Sequence, residues 1–398
     1  MRETLRALPG TVWMLGLISL LNDAASELVY PLLPLYLATV LGAGPRALGL
    51  IEGAAEATSA LLKLVSGVWY DRVRRAKVFI VAGYGFAALS RPLIALVVSW
   101  PMLLALRVFD RLGKGLRSSP RDALLARSVP ADRRGIAFGL HRAFDNAGAV
   151  IGPLLAAALL ALHVPLRDIL LWAAVPGVLC VALAASLKEP EDGAPVNTAP
   201  PDWTWRGLSP AFQRMLATIA IFTLGQASNA FVILRAHDLG MPAAQSALLW
   251  AVVAATSTLL AVPLSAHSDR VGRVPMLTIG WALYAVLFVG LAWIRDVDLL
   301  WVAAILLGVY MAATEGSERA LIADLVPHER LGTAYGWYYL VKGLLLLPAS
   351  AAFGWLWFTA GATAAFMVAS SLVALAALVL VVWVAPAVQR AHPRRGGP

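Results

Sequence analysis

Apolar stretches separated by short polar breaks run along the chain at about residues 12–41, 46–70, 78–99, 102–125, 135–161, 168–187, 213–235, 243–266, 275–294, 299–325, 332–357 and 361–385. A helix needs roughly 20 apolar residues to cross a hydrocarbon core of ~30 Å. The pattern therefore predicts an all-α membrane protein with twelve transmembrane helices, spans 1 to 12. The one long polar interruption, from Lys188 to Ser209, contains Pro190, Pro195, Pro200 and Pro201 and reads as a linker. The expected organisation is a six-helix bundle over 1–188, a cytoplasmic linker over 189–212 with Trp203 and Trp205 at the membrane interface, and a second six-helix bundle over 213–398.

The halves repeat. Asp71-Arg72-Val73-Arg74-Arg75 returns as Asp269-Arg270-Val271-Gly272-Arg273, an offset of 198 residues. The segment from Val129 to Gly139 (VPADRRGIAFG) returns from Val326 to Gly336 (VPHERLGTAYG), an offset of 197. Two echoes in nearly one register mark an internal repeat. Six spans per half is an even number, so the halves share one orientation and are related about the membrane normal.

Composition fits a chain whose main solvent is lipid: 398 residues, 60% hydrophobic, only 14% charged, with a mean hydropathy of +0.75. The net charge of +9 would raise nucleic acid as a partner in a soluble protein. Here Arg2, Arg6, Arg72, Arg74, Arg75, Lys77, Arg127, Arg133, Arg134, Arg270, Arg273, Arg390, Arg394 and Arg395 all fall on one side of a twelve-span arrangement. The opposite loops hold little beyond Arg46, Arg167, Arg235 and Arg295. This is the positive-inside pattern, which puts both termini in the cytoplasm of an inner-membrane protein and leaves no nucleic-acid footprint. Arg2 and Arg6 ahead of an apolar run look like a signal peptide, but Asn22, Asp23 and Glu27 interrupt that run and no cleavage site follows, so span 1 is expected to be retained. Cys180 is the single cysteine and the six histidines are scattered, so no disulfide, metal site or cofactor is expected.

Ionisable groups at bilayer depth are costly and normally face a cavity and pair. Span 1 carries Asp23 and Glu27 one turn apart on one face; span 2 carries Glu52, Glu56 and Lys63; span 4 carries Arg107, Asp110, Arg111, Lys114 and Arg117; span 5 carries Arg142 and Asp145. Counting 1.5 Å per residue sets Asp23, Asp110, Arg111 and Asp145 near mid-depth. Asp23, Glu27, Glu56, Asp110, Arg111 and Asp145 are therefore the candidates for proton coupling. The second half is poorer in such groups: Asn229 aligns with Glu27, and Lys342 falls opposite Asp145 at the 197 offset. Asn22, Arg91, Lys114, Arg142, Gln226, Asn229, Tyr310, Trp337, Tyr338 and Lys342 are the expected lining of a substrate cavity. Glu315, Glu318 and Arg319 read equally as a structural ion-pair cluster.

Over essentially its full length the chain resembles the major facilitator superfamily. Gly67-Val68-Trp69-Tyr70-Asp71-Arg72-Val73-Arg74-Arg75 is similar to that family's G-x-x-x-D-R-x-G-R-[RK] loop, with Arg74 for the second glycine and Ala76 for the final base. The copy with Asp269, Arg270 and Arg273 keeps Gly272 but has Ser265 at the first glycine. The resemblance implies a major facilitator fold and a conformational latch in which Asp71 and Arg75 work with Asp122. Arg111-Leu112-Gly113-Lys114-Gly115 resembles the R-x-x-x-G element of the twelve-helix drug:proton antiporters, which implies Arg111 as the cation beside the span 1 acids Asp23 and Glu27. Gly148-Ala149-Val150-Ile151-Gly152-Pro153 resembles their G-x-x-x-G-P element, with Ala156 at the last glycine, and Pro31-Leu32-Leu33-Pro34 their P-x-x-P. Gly148, Gly152 and Pro153 are then expected to form a seal that opens and shuts.

The resulting expectation is a monomeric secondary active transporter that works by alternating access, exchanging protons for a small, drug-like organic solute in the efflux direction. Its partners are protons, that small-molecule substrate and the lipid bilayer. A proton symporter for an organic anion or other nutrient is the alternative, because Arg91, Arg107, Arg111, Lys114, Arg117, Arg142 and Lys342 make the cavity cationic. Metal or metal-chelate efflux is another. No nucleophile constellation, phosphate loop or soluble catalytic domain points to an enzyme.

Overall fold

The computed structural model describes residues 8–73, 75–129, 134–189, 208–326 and 331–391. The described residues form helices without a strand: α1 (Gly10–Val29), α2 (Leu32–Thr39), α3 (Pro45–Val73), α4 (Ala76–Leu93), α5 (Trp100–Arg127), α6 (Arg134–Ala161), α7 (Leu166–Trp172), α8 (Ala174–Ala185), α9 (Pro210–Gly225), α10 (Ala230–Asp238), α11 (Ala243–Val271), α12 (Arg273–Trp293), α13 (Leu299–Leu325), α14 (Leu331–Val379) and α15 (Ala385–Ala391).

Nine helical stretches among the described residues are long and apolar enough to cross a membrane. One of them, Ala334–Gln389, is two crossings, because Gly361 inside α14 sits at φ 87 and ψ 166, a conformation glycine adopts readily. The remaining two, α3 with 29 residues and α5 with 28, have crossing length but carry the charges noted above. The protein is thus an all-α membrane protein of twelve transmembrane helices. Large apolar side chains left bare on the outside, among them Leu96, Val98, Val178, Leu259, Val286 and Val382, fit a surface solvated by lipid.

Among the described residues spans 1, 6 and 7 are each divided into two helices, span 6 at Ala173. Span 1 stops at Tyr30 because Pro31 has no N–H to extend the ladder, and resumes as α2. Span 7 was expected to run unbroken from 213 to 235, but Gln226 is extended (φ −89, ψ 111) and Ser228 Oγ accepts the amide of Ala230 at 3.3 Å, offering the backbone a local alternative to the helix. Irregular backbone at this depth persists only where protein or a polar cavity satisfies it.

The chain divides into two compact units, one comprising Met1–Gly44, Ala54–Pro200 and Met241–Ala251, the other Pro45–Gly53, Pro201–Gly240 and Val252–Pro398. In the first, α1 lies along α6, α4 pairs with α5, and α8 covers α1 and α4. Its core joins Val12, Leu15 and Ile18 to Phe79, Ile80, Tyr84, Leu124, Leu125 and Leu187. In the second, α9 packs on α14, and α12 on α13 and α14. Aromatic rings fill it, with Phe222 stacked on Trp281 at 4.3 Å and Tyr284 4.4 Å from Tyr310.

Candidate functional site

The first unit gathers the charged residues of α1, α3, α4, α5 and α6. Arg91 on α4 donates from Nε to Asp110 Oδ1 at 3.1 Å and from Nη1 and Nη2 to the carbonyl and Oδ1 of Asn22 at 2.9 and 3.1 Å. Arg107 Nη1 approaches Asp110 Oδ2 at 3.7 Å, so a carboxylate only 2% exposed lies between two guanidinium groups. Arg111 Nη2 meets Glu56 Oε1 at 3.2 Å. Arg117 stacks over the Tyr84 ring at 4.5 Å. The pairs with Asp110 and Glu56 satisfy the demand that a charge at this depth be paired, and they are hard to neutralise because protonating the acid would strand its cation.

Asp23, Glu27 and Asp145 are held differently. Asn22 Nδ2 donates to Asp23 Oδ1 at 2.8 Å, and Trp250 Nε1 donates to Glu27 Oε2 at 2.8 Å. Asp145 accepts from Ser19 Oγ on α1, with His141 Nδ1 at 3.5 Å from its other oxygen. Arg111, expected beside the span 1 acids, pairs with Glu56, and its charge also reaches Glu27. The hydrogen-bond partners of Asp23 and Glu27 are thus neutral donors, which can hold an acid in either protonation state.

These acids line the contact between α1 and α6. Gly148 faces the backbone of α1, where an added Cβ would lie 2.6 Å from Leu20 O and 2.9 Å from Asp23 Cβ; at Gly152 it would lie 2.6 Å from Leu28 N and 2.7 Å from Ala24 O. Backbone cannot yield as a flexible side chain can, so only glycine permits this approach. Pro153 follows inside the same helix.

In the second unit Lys342 Nζ lies 2.8 Å from Glu318 Oε2, and the Tyr338 hydroxyl donates to the same oxygen at 2.7 Å. The Glu318 side chain is 1% exposed and that of Lys342 28%. Gln226 Nε2 donates to the Tyr310 hydroxyl at 3.4 Å, and Asn229 stands at the start of α10 beyond the break. Trp337 and Lys114 are half-buried, while Arg142 is exposed. Sequence reasoning did not place Glu318 in the site; the 197 offset that sets Lys342 opposite Asp145 also sets Glu318 opposite Arg121 and Tyr338 opposite His141, and could have found it.

Of the latch residues, Gly67 lies within α3, and the side chains of Asp71, Arg72 and Asp269 are outside the described residues. Arg75 and Arg270 are exposed. Asp122 accepts from Arg121 at 3.0 and 2.9 Å. Arg273 reaches Asp324 at 3.7 Å and donates to Ser268 Oγ at 2.7 Å, which brings in Asp324, a residue the sequence did not single out.

The family profile described as the Major Facilitator Superfamily matches residues 15–234 and 214–397. An uncharacterised MFS-type transporter of Methanocaldococcus jannaschii is 34% identical over 369 residues, covering 89% of this chain and 90% of that protein. An uncharacterised protein of Mycobacterium tuberculosis H37Rv is 28% identical over 382 residues, covering 92% and 91%. Among solved structures, a peptide transporter superposes with a TM-score of 0.80 at 13% identity, covering 96% of each chain. A D-xylose–proton symporter superposes with a TM-score of 0.74 at 14% identity, covering 94% of this chain and 97% of the other. At those identities the likeness is one of fold.

Proposed function

Because the chain belongs to the major facilitator superfamily and is a multi-pass integral membrane transporter of that type, we propose that it is a proton-coupled antiporter exporting a small organic solute by alternating access. The observation that carries this reading is the contrast among the acids of the first-unit spans. Asp110 and Glu56 are gripped by arginines, whereas Asp23 and Glu27 hydrogen-bond to Asn22 and Trp250. Asp23 and Glu27 can lose and regain a proton without breaking a hydrogen-bonded pair with an arginine, and both sit at the α1/α6 contact that Gly148 and Gly152 keep tight. A proton bound there can thus favour one arrangement of that contact over another. The likeness of the Gly148 to Pro153 segment to the drug:proton antiporter element supports the efflux direction. The same reading places the protein as a monomer in the cytoplasmic membrane, termini inside.

A second reading, proton symport of an organic anion, is favoured by Lys342, whose ammonium is the accessible member of its pair with buried Glu318. A solute anion would take the place of Glu318 on Lys342, and the displaced carboxylate would then favour a proton, moving both in one direction.

The test is in two stages. A susceptibility and uptake screen across drug-like amines, carboxylates and metal salts, comparing deletion with overexpression, identifies a transported compound. Its flux in proteoliposomes under an imposed pH gradient then gives the direction: movement opposite to the proton is expected, and movement with the proton selects the anion reading.

A further inference from the structure

His141, on α6 and 4% exposed, faces Asp145 and has been given no role above. Its Nδ1 lies 3.5 Å from Asp145 Oδ2, one turn along the same helix, and the other oxygen of that carboxylate accepts from Ser19 on α1. Its Nε2 is buried and has no hydrogen-bond partner among the described residues. Those contacts fix the protonation state. An imidazolium would leave a buried N–H at Nε2 with no acceptor, so the ring here is neutral, with its proton on Nδ1 toward Asp145 and an open lone pair on Nε2. The Ser19 hydroxyl bonds the aspartate and not the imidazole, so the three do not form a nucleophile with its base.

Two independent features make this more than a core histidine. The first is position: Asp145 and Gly148 share the α6 face that meets Ser19 and Asp23 of α1, so any change in that contact changes access to His141. The second is the repeat. An offset of 197 carries His141 to Tyr338, Asp145 to Lys342 and Arg121 to Glu318. Tyr338, Lys342 and Glu318 form a closed hydrogen-bonded set. The same helix positions are thus put to ionic use in both halves, with the charges exchanged and the titratable imidazole replaced by a phenol.

We propose that His141 is a proton-exchange residue of this transporter: Nε2 takes a proton from water on the acidic side and returns it to water on the other, while Nδ1 keeps its own proton, directed at Asp145. This rests on the proton-coupled reading above and adds to it a residue and its counter-ion. The loaded ring is an imidazolium on the Asp145 carboxylate; the empty ring is the state in this structure. The other charged groups that reach it are Arg121 and Asp122 of α5, Asp23 of α1 and Arg142 of α6.

The experiment is nuclear magnetic resonance of the full-length protein, 15N-labelled at histidine, in lipid nanodiscs, with the His141 ring signals identified by their loss in His141→Asn. We expect the ring to pass from neutral to imidazolium as the pH is lowered. In Asp145→Asn, which removes the counter-ion, the midpoint falls by at least about one pH unit. Ser19→Ala, a milder change, moves it upward, because Asp145 loses a donor that competes with the ring. A ring that stays neutral throughout, or a midpoint indifferent to both substitutions, overturns the proposal. Intact pH-driven flux in Asp23→Asn and Glu27→Gln would instead sink the span 1 acids as carriers while leaving the ring titration standing, so the two failures are separable.

Discussion

The indole N–H of Trp250 donates to Glu27 at 2.8 Å, joining residues 223 positions apart in the chain. Glu27 lies on the α1 face that packs on Gly152, and the ring of Trp250 also lies 5.0 Å from that of Tyr30, next to the break at Pro31. An acid that carries a proton should therefore report its loss through these neighbours.

Glu27→Gln and Asp23→Asn are expected to keep solute exchange at equal pH and to lose at least about 10-fold in uphill flux driven by a pH gradient, since each amide can stand in for the protonated acid. Because no arginine is stranded, melting temperatures should stay close to wild type. Exchange, driven flux and melting measured on one preparation check all three statements together.

Asp110→Asn should behave in the opposite way. It leaves Arg91 and Arg107 facing a neutral amide, and loss of one partner from a buried pair costs about 3–5 kcal/mol. A large fall in melting temperature in detergent is expected; a variant as stable as wild type would show that Asp110 is no structural anchor.

Gly152→Leu should abolish coupled flux, and Gly152→Ala should weaken it, because even a Cβ there would press on Leu28 N and Ala24 O. Overpacking of this kind costs about 1–3 kcal/mol, so the alanine variant should still be purified folded. Normal transport by the leucine variant would make α6 an ordinary packing helix.

Arg273→Ala separates latch from scaffold. The Arg273–Asp324 pair is 3.7 Å long and partly exposed, so its loss should change stability by less than about 1 kcal/mol. Flux is nevertheless expected to fall, and a variant with wild-type flux would remove this loop from the transport cycle.

Much of this was legible in the chain. The count of crossings, the repeat and the identity of the buried acids follow from one constraint: lipid cannot satisfy backbone or charged groups, so the spans must be long, apolar and helical, and every exception stands out. Asp23, Glu27, Asp110 and Asp145 were visible because the bilayer makes them anomalous. Which partner each acid takes was not visible, because hydropathy fixes depth and leaves rotation and neighbours to tertiary packing. Only the folded chain pairs Arg111 with Glu56, brings Trp250 to Glu27, breaks span 7 at Gln226 and sets His141 behind Asp145. Hydrogen bonds act over about 3 Å, and whether two residues remote in sequence come that close is decided by helix packing rather than by composition.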